Sequence, residues 1–565
     1  MPTLDWIGKK AVVNHHRDVP YRLLHCDRSK SVGDPDAGNL LVQGDNLEAL
    51  KALLPYYAGS VKCIYIDPPF NTGSEDWHYN DNVTSPEIVN WLGSTVGKEA
   101  EDLSRHDKWL CMMYPRLRLL KDFLSDDGTL FVHIDDNELG HALLLCDEIF
   151  GRRNRCYVIA FKQASATGHK SINPGCVSIT NNIIIYAKSK DDWHPNRVFT
   201  GRERDKRYNG FIENRSDDHR QWRFITLGAA FAAAHKLFAK DARKLLKDEP
   251  ELLNKFVLDN ADSVIQFARP DYDNVGQDTR VLIDESERDS SQIFRLEREG
   301  YSDIYLRNGM RVLFYSDKIK VIDGQPVSGE PLTTLWDDIL SNNIHKEGGI
   351  DFPKGKKPEA LIKRCFELAT APNDIVMDSF GGSGTTAAVA HKLGLRWISI
   401  EMGEHARTHI VPRLTSVIDG SDINGISQDV GWKGGGGFRF CVLGEPLFDG
   451  SGNVSSNVTY ADLAAHVFFC ETGSPIPHRA DGTSPLLGTF QGRAIYLLHS
   501  AEAIGVPSSN AGNILTAALL DRLPLPKNDF VGARVVYAEG CTVPDDRLSR
   551  LGFAFKQVPY QIEGI

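Results

Sequence analysis

Apolar and polar positions along this chain follow two rhythms, and the rhythm changes with position. Val61-Lys62-Cys63-Ile64-Tyr65-Ile66 is a β-prone apolar run halted by Asp67-Pro68-Pro69, the pattern of a buried parallel strand. Asn39 to Gln43 reads as a shorter strand, and between the two, Leu47, Leu50, Leu53 and Leu54 recur at helical spacing. A helix over 108–124, a strand over 129–134 and a helix over 138–150 continue the alternation that marks an α/β sheet. After Ala160 the alternation stops. The chain becomes polar and rich in Arg, Asn and Asp, with an alanine-rich helical patch over 227–246. Strand and helix patterns resume with a helix over 358–369, a strand at Asp374 to Met377, a helix after Gly384 and a strand at Arg396 to Ile400. The two α/β parts are therefore expected to complete one sheet around an insertion. The glycine run Gly434 to Gly437 reads as a boundary or tight loop, and strand-like pieces follow at Val467-Phe468-Phe469 and Arg493 to Leu498.

Composition narrows the class. With 565 residues, 41% hydrophobic and 25% charged, the chain is of ordinary globular composition and long enough for about three domains. There is no basic-then-apolar leader at Met1-Pro2-Thr3 and no apolar run of membrane-spanning length, so a cytoplasmic protein without a membrane partner is expected. The ten cysteines are scattered without a Cys-x-x-Cys pair and are read as reduced, mostly buried thiols. No metal site is expected: cysteine and histidine do not cluster at zinc spacing, and the adjacent His15 and His16 read as surface histidines. A net charge of −11 argues against a protein that coats nucleic acid by electrostatics alone. From Arg197 to Lys247, however, thirteen Lys or Arg stand against six Asp or Glu, a local excess suited to a polyanion.

Two motifs carry chemistry. The exocyclic amine of adenine is a poor nucleophile because its lone pair is delocalised into the ring, so its alkylation needs hydrogen-bond acceptors at that nitrogen. In Asp67-Pro68-Pro69-Phe70 the Asp67 carboxylate is one acceptor and the Pro68 carbonyl a second. The prolines lack N–H groups and fix φ, which makes the turn rigid. Phe70 offers a ring for a base removed from its stack. In isolation such a tripeptide is more often a strand-ending turn; the apolar strand before it and Asn71-Thr72-Gly73 after it favour the site. The second motif, Asp378-Ser379-Phe380-Gly381-Gly382-Ser383-Gly384-Thr385, follows a strand and opens a helix, where glycines let backbone approach a ligand. Glu401 ends the next strand at the distance of a ribose-binding acid. Dinucleotide oxidoreductases use similar turns but have no use for the Asp67 turn.

Together the motifs resemble the β-class amino-methyltransferases, in which the catalytic turn precedes the target-recognition region and the cofactor loop follows it. Trp6-Ile7-Gly8-Lys9, Gly44-Asp45-Asn46-Leu47-Glu48-Ala49-Leu50, Ile64 to Gly73 and Lys357-Pro358 further resemble the modification (Mod) subunits of type III restriction-modification systems. The resemblance implies an α/β, Rossmann-like class I S-adenosylmethionine-dependent methyltransferase, its mostly parallel sheet having one antiparallel strand. It implies an N-terminal arm over 1–35, a catalytic half over 36–160, a target-recognition insertion over 161–330, a cofactor-binding half over 331–428 and an α+β C-terminal domain over 429–565. Asp378, Phe380, Gly382, Gly384 and Thr385 would shape the S-adenosylmethionine pocket, Glu401 would hold the ribose, and Lys357 would lie near the methionine carboxylate. Asp45 would be a further cofactor-side residue or simply the cap of the helix behind it. Phe70 departs from the Tyr common in the family. The implied activity is sequence-specific adenine-N6 methylation of double-stranded DNA by a homodimer, with a helicase-nuclease (Res-like) partner for restriction. Alternatives are a specificity subunit directing a separate nuclease, or a solitary DNA or RNA methyltransferase. No Pro-Cys, Ser-Pro-Pro or Asn-Pro-Pro turn suggests cytosine-C5, cytosine-N4 or protein-glutamine methylation, and no Gly-Lys-Ser or Gly-Lys-Thr suggests an ATP motor.

Overall fold

The structure is a computed structural model that describes residues 3–71, 94, 104–165, 175–322, 324–339, 344–352, 355–499 and 513–558. Thr72 and Gly73, singled out above, lie outside the described residues. The chain divides into two compact units, one of residues Met1–Asn196 with Thr334–Ile565 and one of Arg197–Thr333.

The larger unit is built on a ten-stranded sheet. Its strands, in chain order, are β1 (Arg22–Gly33), β2 (Leu40–Gln43), β3 (Val61–Ile66), β4 (Leu124–Ile134), β5 (Arg155–Lys162), β6 (Thr180–Ala187), β7 (Leu335–Trp336), β8 (Ile375–Asp378), β9 (Arg396–Glu401) and β10 (Gly437–Pro446). Across the sheet they run β1-β10-β2-β9-β8-β3-β4-β6-β5-β7. Both α/β parts of the sequence thus lie in one sheet, β3 pairing with β8 in parallel through Cys63↔Val376 and Ile64↔Met377. The sheet is mostly parallel. Besides the antiparallel strand expected within it, β6, a second opposes its neighbour at the edge, where β1 pairs with β10. The central strands are buried almost throughout, which is why they read as continuous apolar runs rather than alternating ones.

Helices flank the strands: α1 (Asn46–Tyr57), α2 (Arg105–Phe123), α3 (Leu139–Cys146), α4 (Glu359–Ala369), α5 (Thr385–Lys392) and α6 (Val411–Ile418). Their starts follow from local chemistry. Asp45 accepts the Leu47 and Glu48 N–H groups at 2.9 and 3.2 Å, and Ser104 with Asp107 forms a reciprocal capping box before α2. The apolar faces of α1 and α2 join β2, β3 and β4 in the main core, with Leu50, Leu53, Trp109 and Leu120 all fully buried.

Several expectations need correction. Strands β5 and β6 extend the main sheet past Ala160, so the separate unit begins at Arg197 instead of 161. The N-terminal segment is not an arm: β1 lies in the sheet beside β10, which itself begins at Gly437 beyond the expected boundary. That pairing places Cys26 directly opposite Cys441, and the two are joined as a disulfide, contrary to the reading of all cysteines as thiols. Val467-Phe468-Phe469 is helical, within Tyr460–Thr472. Three consecutive apolar residues have no period of their own; the Thr459–Asp462 capping box and Gly473 at φ 68° define the helix. His16, in the short helix His15–Asp18, is buried, not on the surface.

The second unit carries a six-stranded sheet ordered Phe294–Leu296, Ile304–Arg307, Met310–Phe314, Val264–Ala268, Gly210–Ile212, Phe224–Thr226, all neighbours antiparallel. The alanine-rich patch is two helices, Leu227–Ala234 and Ala239–Asp248, broken where Lys236 adopts φ 54°. No helix among the described residues is long and apolar enough to cross a membrane.

Candidate active site

The Asp67 turn leaves the C-terminal end of β3, and the Asp378 loop leaves that of the neighbouring β8. Adjacent parallel strands deliver both motifs to one end of the sheet, where ligands of open α/β folds bind. One cavity joins them: Tyr65, Asp67, Lys357, Asp378, Phe380 and Thr386 are among the residues that line it, with Gly381 to Ser383 on one wall.

The turn is held from behind. Trp109 Nε1 donates to the Pro69 carbonyl at 2.8 Å, and Tyr65 Oη is 2.8 Å from His133 Nδ1. Phe70 is half-buried, its ring tilted against His133 at 5.7 Å between centroids. Lys357 arrives from the segment before α4 and places Nζ 2.5 Å from Asp67 Oδ2 and 4.7 Å from the centre of the Phe70 ring. Its ammonium therefore lies against both groups of the turn, a position that a sequence separation of some 290 residues does not reveal.

The second loop is glycine-rich for steric reasons. A Cβ on Gly381 would stand 2.7 Å from Ser399 Oγ and 3.1 Å from the Ile400 carbonyl oxygen. At Gly384, where φ is +74° and α5 begins, a Cβ would meet Ile410 at 2.9 Å. Glu401 closes the loop by accepting the Gly382 N–H at 2.7 Å and the Gly403 N–H at 2.9 Å. Asp378 accepts the Phe380 N–H at 2.9 Å. Ser379 and Ser399 each bury a hydroxyl with no partner among the described residues. Thr385 also lines the cavity, and its hydroxyl accepts from Arg413 Nη1 at 2.8 Å. Asp45 is not among the residues lining the cavity; it caps α1 and pairs with Arg116 at 3.0 Å.

Burial governs the acids of the loop. It pushes the Asp378 carboxyl up to about 7, against the opposing pull of the Thr386 hydroxyl and the Phe380 N–H. Burial also raises Glu401, opposed by the Gly403, Gly382 and Met402 N–H groups. Because an unfolded aspartate titrates near 3.8, the folded protein holds a proton on Asp378 that the unfolded chain has lost. This contribution to stability declines as pH rises from about 4 to about 7. Measured against an Asp378→Asn variant, the wild-type melting temperature should fall between about pH 5 and 7 and run parallel above about 7.5. A gap constant across that range would contradict the assignment.

The support beneath the loop was not read from the sequence. Glu359, fully buried at the start of α4, receives Lys392 Nζ and Arg413 Nη2 at 2.7 Å each and the Ile426 N–H at 3.1 Å. Arg413 in turn donates to the Ser383 carbonyl at 3.2 Å. Asn46 Nδ2 reaches the Ser379 carbonyl at 2.9 Å. Only the polar residues inside otherwise apolar helical patterns hinted at these contacts.

Residues 61–411 match the DNA methylase family profile for N6 and N4 enzymes, a span that includes both motifs and more than half of the chain. The chain belongs to this DNA methylase family. Relatives of the methylase include the probable type III restriction-modification enzyme HindVI Mod subunit of Haemophilus influenzae, 31% identical over 73% of this chain and 55% of that protein. The type III EcoP15I Mod subunit of Escherichia coli is 26% identical over 71% of this chain and 64% of its own length. The methylase thus spans between 55% and 64% of the length of these two relatives. Among solved structures, the cytosine-N4-specific PvuII DNA methyltransferase aligns with a TM-score of 0.30 at 13% identity, covering 66% of this chain and 86% of that one.

Proposed function

We propose that this DNA methylase transfers a methyl group from S-adenosylmethionine to the N6 amine of adenine in double-stranded DNA. The observation that carries the reading is the single cavity lined by both Asp67 and the Asp378–Thr386 loop. A cofactor pocket and an amine-activating turn are useful only if they meet.

The loop suits the cofactor. The cavity wall carries Gly381, where a Cβ would clash, together with the buried Asp378 carboxyl and the residues Ser383, Thr385 and Thr386, a polar lining for a nucleoside, and Glu401 fixes the loop by accepting the Gly382 N–H. Glu401 would hold the ribose hydroxyls, with Phe380, Gly382 and Gly384 shaping the wall. When bound, S-adenosylmethionine supplies an electrophilic methyl carbon. The rest of the chemistry belongs to the chain. Asp67 and the Pro68 carbonyl would accept hydrogen bonds from the two amine N–H groups, which turns the nitrogen lone pair out of conjugation and toward the methyl group. The Phe70 ring supports the extruded base. Lys357 lies between these groups and the cofactor loop, where its cation can also meet a carboxylate of the cofactor.

The unit Arg197–Thr333, with its basic segment through Lys247, would read the DNA target. The named relatives are Mod subunits of type III restriction-modification enzymes, which supports a modification role within such a system; a helicase-nuclease partner, a homodimeric state and a prokaryotic cytoplasmic setting belong to the same proposal. Labelled methyl transfer to duplexes with and without adenine, followed by modified-base sequencing, tests the reading. N6-methyladenine at one defined site is the expected product; N4-methylcytosine, or transfer only to RNA, would overturn it.

Replacing Phe70 probes the stacking surface. Base–aromatic stacking is worth about 1–3 kcal/mol, so Phe70→Ala should lower kcat/KM for DNA by roughly 5–150-fold. Phe70→Tyr, which keeps the ring, should stay within about threefold of the parent. Steady-state kinetics on a duplex containing the target site measures both.

A further inference from the structure

Behind the Asp67 turn lies a second polar cluster. Glu138, at the start of α3, has a side chain with 0% exposure, and each of its oxygens faces an imidazole. His106 Nδ1 is 2.7 Å from Oε1, and His141 Nδ1 is 2.8 Å from Oε2. The two rings face each other with centroids 4.8 Å apart, and the donor atoms of all three residues lie within 4.8 Å of one another. Asn71 Nδ2 adds a further hydrogen bond to Oε1 at 2.5 Å. Among the described residues no lysine or arginine pairs with this carboxylate; its partners are an amide and two imidazoles. A buried carboxylate without a cation is expensive, and a divalent ion would remove that cost.

We propose that His106, Glu138 and His141 bind a divalent ion of the zinc class. Two imidazoles and one carboxylate are a recognised three-ligand set for such ions. Glu138 and His141 stand three residues apart on one helical turn, and His106 is brought to them by the start of α2. Tetrahedral ligands with bonds of about 2.0–2.1 Å stand roughly 3.3 Å apart, so the imidazoles draw back from the oxygens they now meet at 2.7 and 2.8 Å while the three ligand atoms, within 4.8 Å of one another, close around the ion. The imidazole hydrogen moves to Nε2 as the metal takes Nδ1, and at His106 this replaces the 3.5 Å bond that Nε2 accepts from Arg105 Nε. The histidine side chains are 34% and 36% exposed, which leaves a route for the ion and room for water as a further ligand.

The site would bear on the turn. Asn71 directly follows Phe70, is buried, and holds a left-handed backbone at φ 59°. Its side chain is tied to Glu138 and, at 3.0 Å, to the Arg105 carbonyl. An ion on Glu138 fixes the acceptor of that bond and so braces the far end of the turn.

The test uses the full chain, stripped with chelator and titrated with Zn²⁺ and Co²⁺. One ion per chain is expected, with visible Co²⁺ bands of an imidazole–carboxylate set and a Zn²⁺-dependent rise in melting temperature. Glu138→Gln and His141→Asn should each weaken binding by at least about tenfold. His141→Asn, at a part-exposed position, is the variant to pair with a circular dichroism spectrum matching the parent; His106→Asn serves if it does not fold. Absence of a retained ion, wild-type affinity in folded variants, or near-ultraviolet thiolate-to-Co²⁺ bands pointing to cysteine ligands would each overturn the proposal.

Discussion

Methyl incorporation into duplex DNA by an Asp67→Ala variant is expected to fall by about 10²–10⁴-fold, the usual contribution of a positioned acceptor group to the rate. The loss should fall on kcat. Affinity for S-adenosylmethionine should change little, because Glu401 and Gly382 do not depend on Asp67 for their contact. DNA affinity should likewise persist, as the basic segment after Arg197 lies in a different unit. Single-turnover methylation, with filter binding and cofactor titration alongside, separates these quantities. Activity within tenfold of the parent would remove the turn from the mechanism. The variant also leaves Lys357 without its carboxylate at 2.5 Å, so Lys357→Met is a useful companion. If Lys357 serves the cofactor, its loss raises the KM for S-adenosylmethionine. If it serves only Asp67, kcat alone responds.

The largest stability effect is expected at Glu359. Burial works against ionisation of its carboxyl, yet the Arg413 and Lys392 charges outweigh that cost and hold it below its usual range. Removing one partner from such a set strands the others. Glu359→Ala leaves Arg413 and Lys392, both with fully buried side chains, facing an apolar methyl group, and should cost about 3–5 kcal/mol. Lys392 retains Asp422 at 2.8 Å, so its isolation is partial, whereas Arg413 loses the carboxylate that it meets directly at 2.7 Å. The double variant Glu359→Ala/Lys392→Ala should therefore cost less than the two single changes added together, because the same interaction is lost in both. Denaturant unfolding measures the set. A Glu359→Ala cost below about 1 kcal/mol would show that water reaches the site, since exposed ion pairs contribute no more than that. The effect has a functional corollary, for Arg413 also holds the Ser383 carbonyl and the Thr385 hydroxyl of the cofactor loop.

The amino-acid sequence by itself determined the local elements and the chemistry they carry. Strands β3, β8 and β9 were legible because a parallel strand covered on both faces must be apolar along its length, and the turns that stop them contain residues that cannot continue a strand. Both motifs were legible for the same reason: each is one short segment whose geometry is set by its own prolines or glycines. What only the tertiary structure decided depends on residues distant in the chain. The pairing of β1 with β10, which carries Cys26 to Cys441 across 415 residues, leaves no periodic trace, since β1 is at least partly exposed along almost its whole length and has no alternating buried face. Lys357 against Asp67, Arg413 against Glu359, and His106 against Glu138 are equally silent in sequence. A charged or polar side chain reads as solvated until packing removes the water around it, and only then does the identity of its neighbour matter.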